Sequence, residues 1–199
     1  MDKEMFLFYK NALCGELTSP LCNEYKQLWK ECGDDKRKLF DLALHQQSLP
    51  YFIEHCRYNF GLSKDYILES FKDYVNGKYT GIDVDGVKGD YKSEMYVSSS
   101  DVILADCDVL ACLWCDTQVC VPKCKSIKLY CGCSSNLSLS CDGYNNITIV
   151  LLDDSSITLD DVDENTSVSV YKYSDTSNVN YGKYCLSDKI KVFNKKLTL

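Results

Sequence analysis

The chain has 199 residues, of which 45% are hydrophobic, and its formal net charge is −7. That apolar content is enough to bury a core and excludes a disordered chain, while the acidic balance argues against a surface that neutralises nucleic-acid phosphates. The first apolar run, Met5 to Tyr9, is too short for a signal peptide, and no stretch reaches the ~20 apolar residues of a membrane span. We therefore expect a soluble protein that stays inside a cell, where its thiols remain reduced.

The first 76 residues carry helical periodicity and helix-end signals. Ser19 and Pro20 form a helix start, Gly33 is a helix stop, and Ser63 is a candidate N-cap. Leu49-Pro50 interrupts a helical pattern, because proline disfavours helical geometry in the residue before it. Short connections between the helices predict a compact bundle. The five predicted helices cover residues 3–14, 19–33, 34–48, 51–60 and 63–76.

Residues 77–100 have neither a helical period nor a clear alternation. They contain glycines, a serine triplet and scattered charges. The segment is either a linker between domains or an extended arm that orders against a neighbouring subunit.

From residue 101 onward, apolar and polar residues alternate in short runs separated by turn signals. Ile127, Leu129 and Cys131 form one such run, and Ile147, Ile149 and Leu151 form another. Short strands at this spacing predict an antiparallel sandwich or small barrel. The predicted fold class is thus α+β, with a helical bundle over 1–76 and a cysteine-rich antiparallel β domain over 101–199.

Eight of the thirteen cysteines lie between Cys107 and Cys141. Cys112 and Cys115 have the Cys-x-x-Cys spacing of a zinc knuckle, and a zinc site would use them together with Cys131 and Cys133. The second knuckle pair is missing, however. If Val102 to Cys115 is one strand, Cys112 and Cys115 also point to opposite faces unless a turn separates them.

Three interpretations of these cysteines therefore remain open. They pack as small apolar side chains in a β core, they bind zinc, or they form disulfides. Reduced thiols and an odd total disfavour disulfides. We predict no bound metal and no cofactor.

The sequence contains no pattern typical of an active site. A cysteine nucleophile needs a histidine base, and the two histidines, His45 and His55, lie in the helical half. The run from Asp83 resembles a calcium loop but has Lys88 where that loop requires glycine. Phosphate-binding loops, GxSxG and HExxH motifs are absent. We therefore predict that the protein is not an enzyme.

The segment 153–164 carries six carboxylates and no base. It is either a solvated loop or an acidic surface that repels an anionic polymer such as DNA moving through a channel. The six residues are Asp153, Asp154, Asp160, Asp161, Asp163 and Glu164.

Two segments resemble a virion structural protein of crAss-like bacteriophages, the short-tailed phages of gut Bacteroidales. They are LFYKNALCGELTSPLCNEYKQLWKECGDDKRKLFDLALHQQSLPYFIEHC and DVLACLWCDTQVCVPKC. The resemblance is to the ring or tail-adaptor proteins that stack beneath the portal. It covers the layout of most of the chain and contains no short diagnostic motif.

The resemblance implies a homo-oligomeric ring, a dodecamer, that joins portal to tail within the virion after assembly in the host cytoplasm. Its partners would be other copies of itself, the portal protein and further tail or ring proteins. DNA would pass through the axial channel without sequence-specific binding, and no membrane would be involved. The alternative function is an intracellular, zinc-stabilised protein-binding module.

Overall fold

The computed structural model describes residues 23–44, 49–57, 63–70, 79–82 and 92–195. The chain divides into two compact units, Met1–Glu94 and Met95–Leu199. No helix within the described ranges is long and apolar enough to cross a membrane. The predicted helix over 3–14 lies outside the described residues, as do 45–48, which include His45.

Four short helices occupy the described part of the first unit. They are α1 (Asn23–Glu31), α2 (Lys36–Leu44), α3 (Leu49–Arg57) and α4 (Lys64–Ser70). Asp35 caps α2, because its Oδ1 accepts hydrogen bonds from the backbone N–H of Arg37 (3.0 Å) and Lys38 (3.2 Å). Ser63 caps α4 in the same way by accepting from Tyr66 N–H at 3.2 Å. These helix starts agree with the predicted ones, whereas α3 begins at Leu49 and contains Pro50 in its first turn, where proline is tolerated.

Twelve strands lie within the described ranges, and those of the second unit form a parallel β-solenoid. The first two are β1 (Tyr79–Ile82) and β2 (Lys92–Val97), so strands occupy part of the predicted linker. The others are β3 (Ile103–Leu104), β4 (Val109–Leu113), β5 (Asp116–Val121), β6 (Ser126–Gly132), β7 (Asn136–Cys141), β8 (Asn146–Leu151), β9 (Ser156–Val162), β10 (Ser167–Lys172), β11 (Asn178–Cys185) and β12 (Ile190–Asn194).

From β2 onward, successive strands alternate between two sheets, so that each coil of the solenoid contributes one strand to each. Sheet A has the order β1-β2-β4-β6-β8-β10-β12, and sheet B has the order β11-β9-β7-β5-β3. Every pair with a defined register from β3 to β12 is parallel. The register advances by one coil of 20 residues, from Asp116 to Asn136 to Ser156, and the chain completes about five coils.

This architecture shows that the predicted helical bundle with an antiparallel sandwich or barrel is wrong. The alternation located the strands, but it has the same period of two in parallel and antiparallel sheets. The connections between the strands determine whether neighbouring strands run parallel or antiparallel. Each turn passes the chain from one sheet to the other, so the next strand of the same sheet arrives a full coil later and runs in the same direction.

Identical positions of successive coils stack into columns, and the inward columns form the core. In sheet B, Val119, Leu139 and Leu159 occupy one column and are fully buried. In sheet A, Leu129, Ile149 and Val170 occupy another. Because parallel strands are about 4.8 Å apart, each side chain packs directly on those above and below it.

Buried hydroxyl groups stabilise the turns between the sheets. The backbone N–H of Cys115 donates to Ser135 Oγ (3.0 Å), and the N–H of Ser135 donates to Ser155 Oγ (3.1 Å) in the next coil. The Ser135 hydroxyl lies 2.6 Å from the carbonyl oxygen of Gly132, to which it donates. Ser177 repeats this buried position one coil further. The serines thus satisfy main-chain groups that the turns would otherwise bury without partners.

We predict that Leu139→Ala lowers the free energy of unfolding by about 2–5 kcal/mol, because it opens a cavity in a fully buried column. Urea denaturation followed by circular dichroism measures the change. The neighbouring Ser138→Ala, on the outer face of the same strand, is the matched control and should change stability by less than about 0.5 kcal/mol. Equal losses in the two variants would contradict the inward assignment of Leu139.

Candidate functional site

The cysteines that could have formed a zinc site lie on and beside sheet A. Cys112 and Cys131 are direct neighbours on β4 and β6, and both belong to the buried core. A turn at Trp114, whose φ is 54°, separates Cys112 from Cys115 and brings Cys115 into the same core. Cys133 follows β6 in a turn, is buried, and donates its backbone N–H to Asp153 Oδ2 at 3.2 Å. The structure therefore brings Cys112, Cys115 and Cys131 together.

Burial and a hydrogen bond between Cys112 and Cys115 shift the pKa values of the thiols in this cluster. A hydrogen bond with Cys115, together with burial, raises the pKa of Cys112 well above its usual value. The same hydrogen bond lowers the pKa of Cys115, whose Sγ lies 3.4 Å from the carbonyl oxygens of Tyr96 and Leu113. Burial raises the pKa of Cys131 strongly. The thiols of Cys112 and Cys131, whose pKa values are raised, therefore act as small apolar side chains in this core.

The part of the chain that the structure describes contains no group of three or more His, Cys, Asp or Glu side chains placed to hold a metal ion. The zinc alternative stays a hypothesis that elemental analysis of the purified protein would test. The other histidine, His55, lies half-buried in the last turn of α3.

The six carboxylates of 153–164 lie on a single coil but not in a single loop. Asp153 and Asp154 occupy the turn before β9, Asp160 and Asp161 lie within β9, and Asp163 begins the turn after it with Glu164. Since β9 has seven residues, the two turns are separated by roughly 20 Å at ~3.3 Å per residue. We call this set the acidic band.

The outer face of sheet B carries small polar side chains in columns. Asn136 connects two coils, because its Nδ2 donates to Asp116 Oδ1 (3.2 Å) and its Oδ1 accepts from the Ser156 hydroxyl (2.5 Å). Ser138 and Thr158 occupy the adjoining column. A shallow cavity of ≈ 180 Å³ lies on this face, lined by Asp116, Thr117, Asn136, Leu137, Ser138 and Thr158.

The last coil of the solenoid leaves apolar side chains open to solvent. Tyr181 continues the inward column of Val119, Leu139 and Leu159, yet 58% of it is exposed, because β11 is the last strand of sheet B. β12 is likewise the last strand of sheet A. We define the open end as this coil, with the exposed residues Tyr181, Tyr184, Leu186, Val192 and Phe193.

Aromatic and basic side chains contact one another at the open end. The rings of Tyr171 and Phe193 stack with centroids 5.0 Å apart, and the Lys195 ammonium lies 5.5 Å from the centroid of Tyr171. Lys183 lies 5.4 Å from the ring centroid of Tyr184. The open end therefore combines exposed rings with positive charge.

Comparisons with known proteins identify no relative. No family model matches the chain, and no curated protein and no solved structure shows significant similarity to it.

The sequence reasoning missed the open end, because exposure there depends on the coil and not on local composition. The available signal was the recurrence of a serine directly before three of the five strands of sheet B, at Ser135, Ser155 and Ser177. A period near 20 residues is typical of solenoids. That period would have indicated a solenoid in place of a sandwich or barrel.

We predict that Cys141→Val flattens the fall of stability at alkaline pH. Burial raises the pKa of Cys141 to about 11 from the usual 9.0. Above pH 9 the unfolded chain therefore releases this proton while the folded chain keeps it, so the stabilising contribution present below pH 9 is lost as pH rises towards 11. Valine is a matched replacement, because Val121 and Val162 occupy the same column.

The measurement is the free energy of unfolding in urea at pH 8, 9, 10 and 11. The difference between the wild type and Cys141→Val should change little from pH 8 to 9 and then shift to the disadvantage of the wild type up to pH 11. Parallel curves would show that the Cys141 thiol titrates alike in the folded and unfolded chains.

Proposed function

We propose that this protein is a structural component of a crAss-like phage virion that forms a ring between portal and tail. In this proposal it acts by contact and performs no catalysis. The proposal rests on the open end. It offers an assembly partner exposed apolar side chains and the backbone edges of β11 and β12. The sequence resemblance described above supplies the choice of a ring beneath the portal.

The open end has the composition of an interaction surface. Its five large apolar residues are between 38% and 67% exposed, and they cluster on one coil. Clusters of exposed apolar side chains on a folded protein typically mark sites of association. The outer edges of β11 and β12 also carry backbone groups that the chain itself does not pair within the described residues.

The rest of the solenoid has the structure of a rigid spacer, which would hold other proteins at a fixed distance from one another. Parallel ladders connect every coil to the next, and a continuous buried core runs through them. Deforming such a unit would break many hydrogen bonds and contacts at once. This rigidity agrees with a role as a connector that does not change shape.

The acidic band provides a candidate lining for the axial channel of the ring. Asp154, Asp161 and Glu164 are exposed and lie along one coil. Negative charge on a channel wall repels the phosphate backbone, so DNA passes without adhering. In this proposal the acidic band faces the channel.

We expect the purified protein to bind the portal protein encoded in the same phage genome and to form a closed ring on it. Electron microscopy of the mixture should show added density at the tail-facing end of the portal. A protein that stays separate from the portal at micromolar concentrations would contradict the proposed function.

We also predict that charge reversal in the acidic band creates DNA binding. The triple variant Asp154→Lys, Asp161→Lys and Glu164→Lys should retard double-stranded DNA in a gel at low salt, with an affinity that falls steeply as salt is raised. The wild type should not retard it.

The matched control changes the net charge equally but elsewhere, through Asp65→Lys, Glu69→Lys and Asp175→Lys, all at exposed positions. In the assembled ring this control should bind DNA less than the band variant. Equal binding by the two variants would contradict a channel-facing role for the acidic band.

A further inference from the structure

We propose that the outer edge of β12 is a docking site for an extended, acidic segment of the assembly partner, which adds to sheet A as a further strand. This inference rests on the proposed function, because it names the chemistry of the partner that covers the open end. β12 spans Ile190–Asn194 and is the last strand of sheet A within the described residues. Addition of a strand to an open sheet edge is a recurring mode of peptide recognition.

The backbone of β12 has one bonded side and one open side. Its residues pair with β10 in parallel without a break in register. The carbonyl oxygen of Lys189 accepts from the N–H of Val168, and the N–H of Lys195 donates to the carbonyl oxygen of Lys172 at 2.7 Å. Successive residues of a strand direct their N–H and C=O groups to opposite sides, so the residues between these two point away from β10 at every second position. Three residues therefore direct their backbone groups to the open side, where the described part of the chain gives them no partner: Ile190, Val192 and Asn194.

Apolar side chains accompany the open backbone on the inward side of the strand. Val192 continues the buried column of Leu129, Ile149 and Val170, yet 42% of it is exposed. Ile190 lies on the same side and packs against the core while staying only partly buried. A partner strand with apolar residues at these two positions would extend the inward columns and remove Val192 from water.

Positive charge lies on the outward side of the same strand. Lys189, Lys191 and Lys195 alternate with the inward residues and are all exposed. None of the ion pairs within the described ranges involves these three lysines. Residues 186–195 carry three lysines against one aspartate. Carboxylates at the outward positions of a partner strand would lie across from the lysines, where opposite charges attract.

The two faces together specify the sequence pattern of the partner segment. Apolar residues face inward, and acidic residues alternate with them and face outward beside the lysines. The alternation has a period of two, so it is the same for a parallel and an antiparallel partner strand. A segment as long as 189–195 covers the edge.

Two other occupants fit this edge less well. A second copy that placed its own β12 there would set lysines against lysines, and like charges across a strand pair are destabilising. Edge lysines commonly keep a sheet from pairing with copies of itself in this way. A nucleic acid would neutralise the lysines, but its phosphates only accept hydrogen bonds, whereas the open backbone offers both N–H and C=O groups.

The edge of β11, the last strand of sheet B, is less suited to an acidic strand. Its register against β9 shifts between Tyr181 and Tyr184, which interrupts the regular alternation. Its one lysine, Lys183, precedes Tyr184, which pairs with Asp161 of the acidic band. Carboxylates of a partner would therefore meet negative charge near β11 and positive charge at β12.

The test uses the full chain and a capped synthetic heptapeptide of alternating glutamate and valine, which reads the same in both directions. Amide hydrogen exchange followed by NMR reports the contact residue by residue. With saturating peptide, the amides of Ile190, Val192 and Asn194 should exchange at least about tenfold more slowly, because the peptide backbone would bond to this side of β12. The amides of Lys191 and Phe193 face β10 and should change less.

Charge reversal provides the matched comparison. At low salt, Lys191→Glu should bind the glutamate–valine peptide about tenfold more weakly than the wild type. The same variant should bind a lysine–valine peptide of the same pattern more tightly than the wild type does, which also shows that it is folded. Lys128→Glu is the control, because Lys128 is exposed in the same outward column but lies on the interior strand β6, and it should leave binding unchanged.

Several results would overturn the inference. The peptide could leave the exchange of the three open amides unchanged at every concentration, or Lys191→Glu and Lys128→Glu could weaken binding equally. Slow exchange of these amides in the concentrated protein alone would identify a second copy as the occupant. Protection by single-stranded DNA as strong as that by the peptide would identify a nucleic acid.

Binding to the portal protein is measured separately from binding to the peptide. A chain that binds the portal but ignores the peptide would disprove the acidic strand and leave the proposed function intact. A chain that binds the peptide at β12 but stays separate from the portal would support the docking edge and contradict the proposed function.

Discussion

Each coil of this solenoid depends on the coils above and below it for its main-chain hydrogen bonds. Strands within one coil belong to different sheets, so no coil can satisfy its own backbone. The same dependence holds for the core, because each inward side chain packs on its equivalents in the adjacent coils. An interior coil is complete on both sides, whereas the last coil, which contains β11 and β12, is complete on one side only.

The buried polar groups follow from the same stacking. A turn that brings the chain from one sheet to the other leaves peptide groups inside the protein, and each needs a partner. Ser135 and Ser155 provide hydroxyls at equivalent positions of successive coils, while Asn145 accepts from the backbone N–H of Lys125 at 2.8 Å in the opposite turns. A serine in one set of turns and an asparagine in the other thus provide hydrogen-bond partners for buried peptide groups.

The sequence predicts the strands well and their arrangement poorly. The alternation of Ile147, Ile149 and Leu151 indicates a half-buried strand, and that strand exists as β8. Orientation could not be derived from it, since alternation reports only which face is buried. Orientation depends on contacts between residues 20 or 22 positions apart, such as those along Ser135, Ser155 and Ser177, which a local window does not include.

The candidate sites show the same division between local and long-range information. The helix starts at Asp35 and Ser63 could be predicted because a cap involves only neighbouring residues. The grouping of Cys112 with Cys131 could not, because it depends on the register of β4 against β6. The turn at Trp114 that returns Cys115 to the core requires a left-handed backbone, which the residue type did not indicate.

The proposed function makes the open end the surface by which this chain joins its assembly partner. A high-resolution electron-microscopy map of the assembled protein tests this claim most directly. We predict that an assembly partner covers Tyr181, Tyr184 and Leu186, which are more than half exposed in the single chain. A map in which these side chains face solvent would contradict the claim.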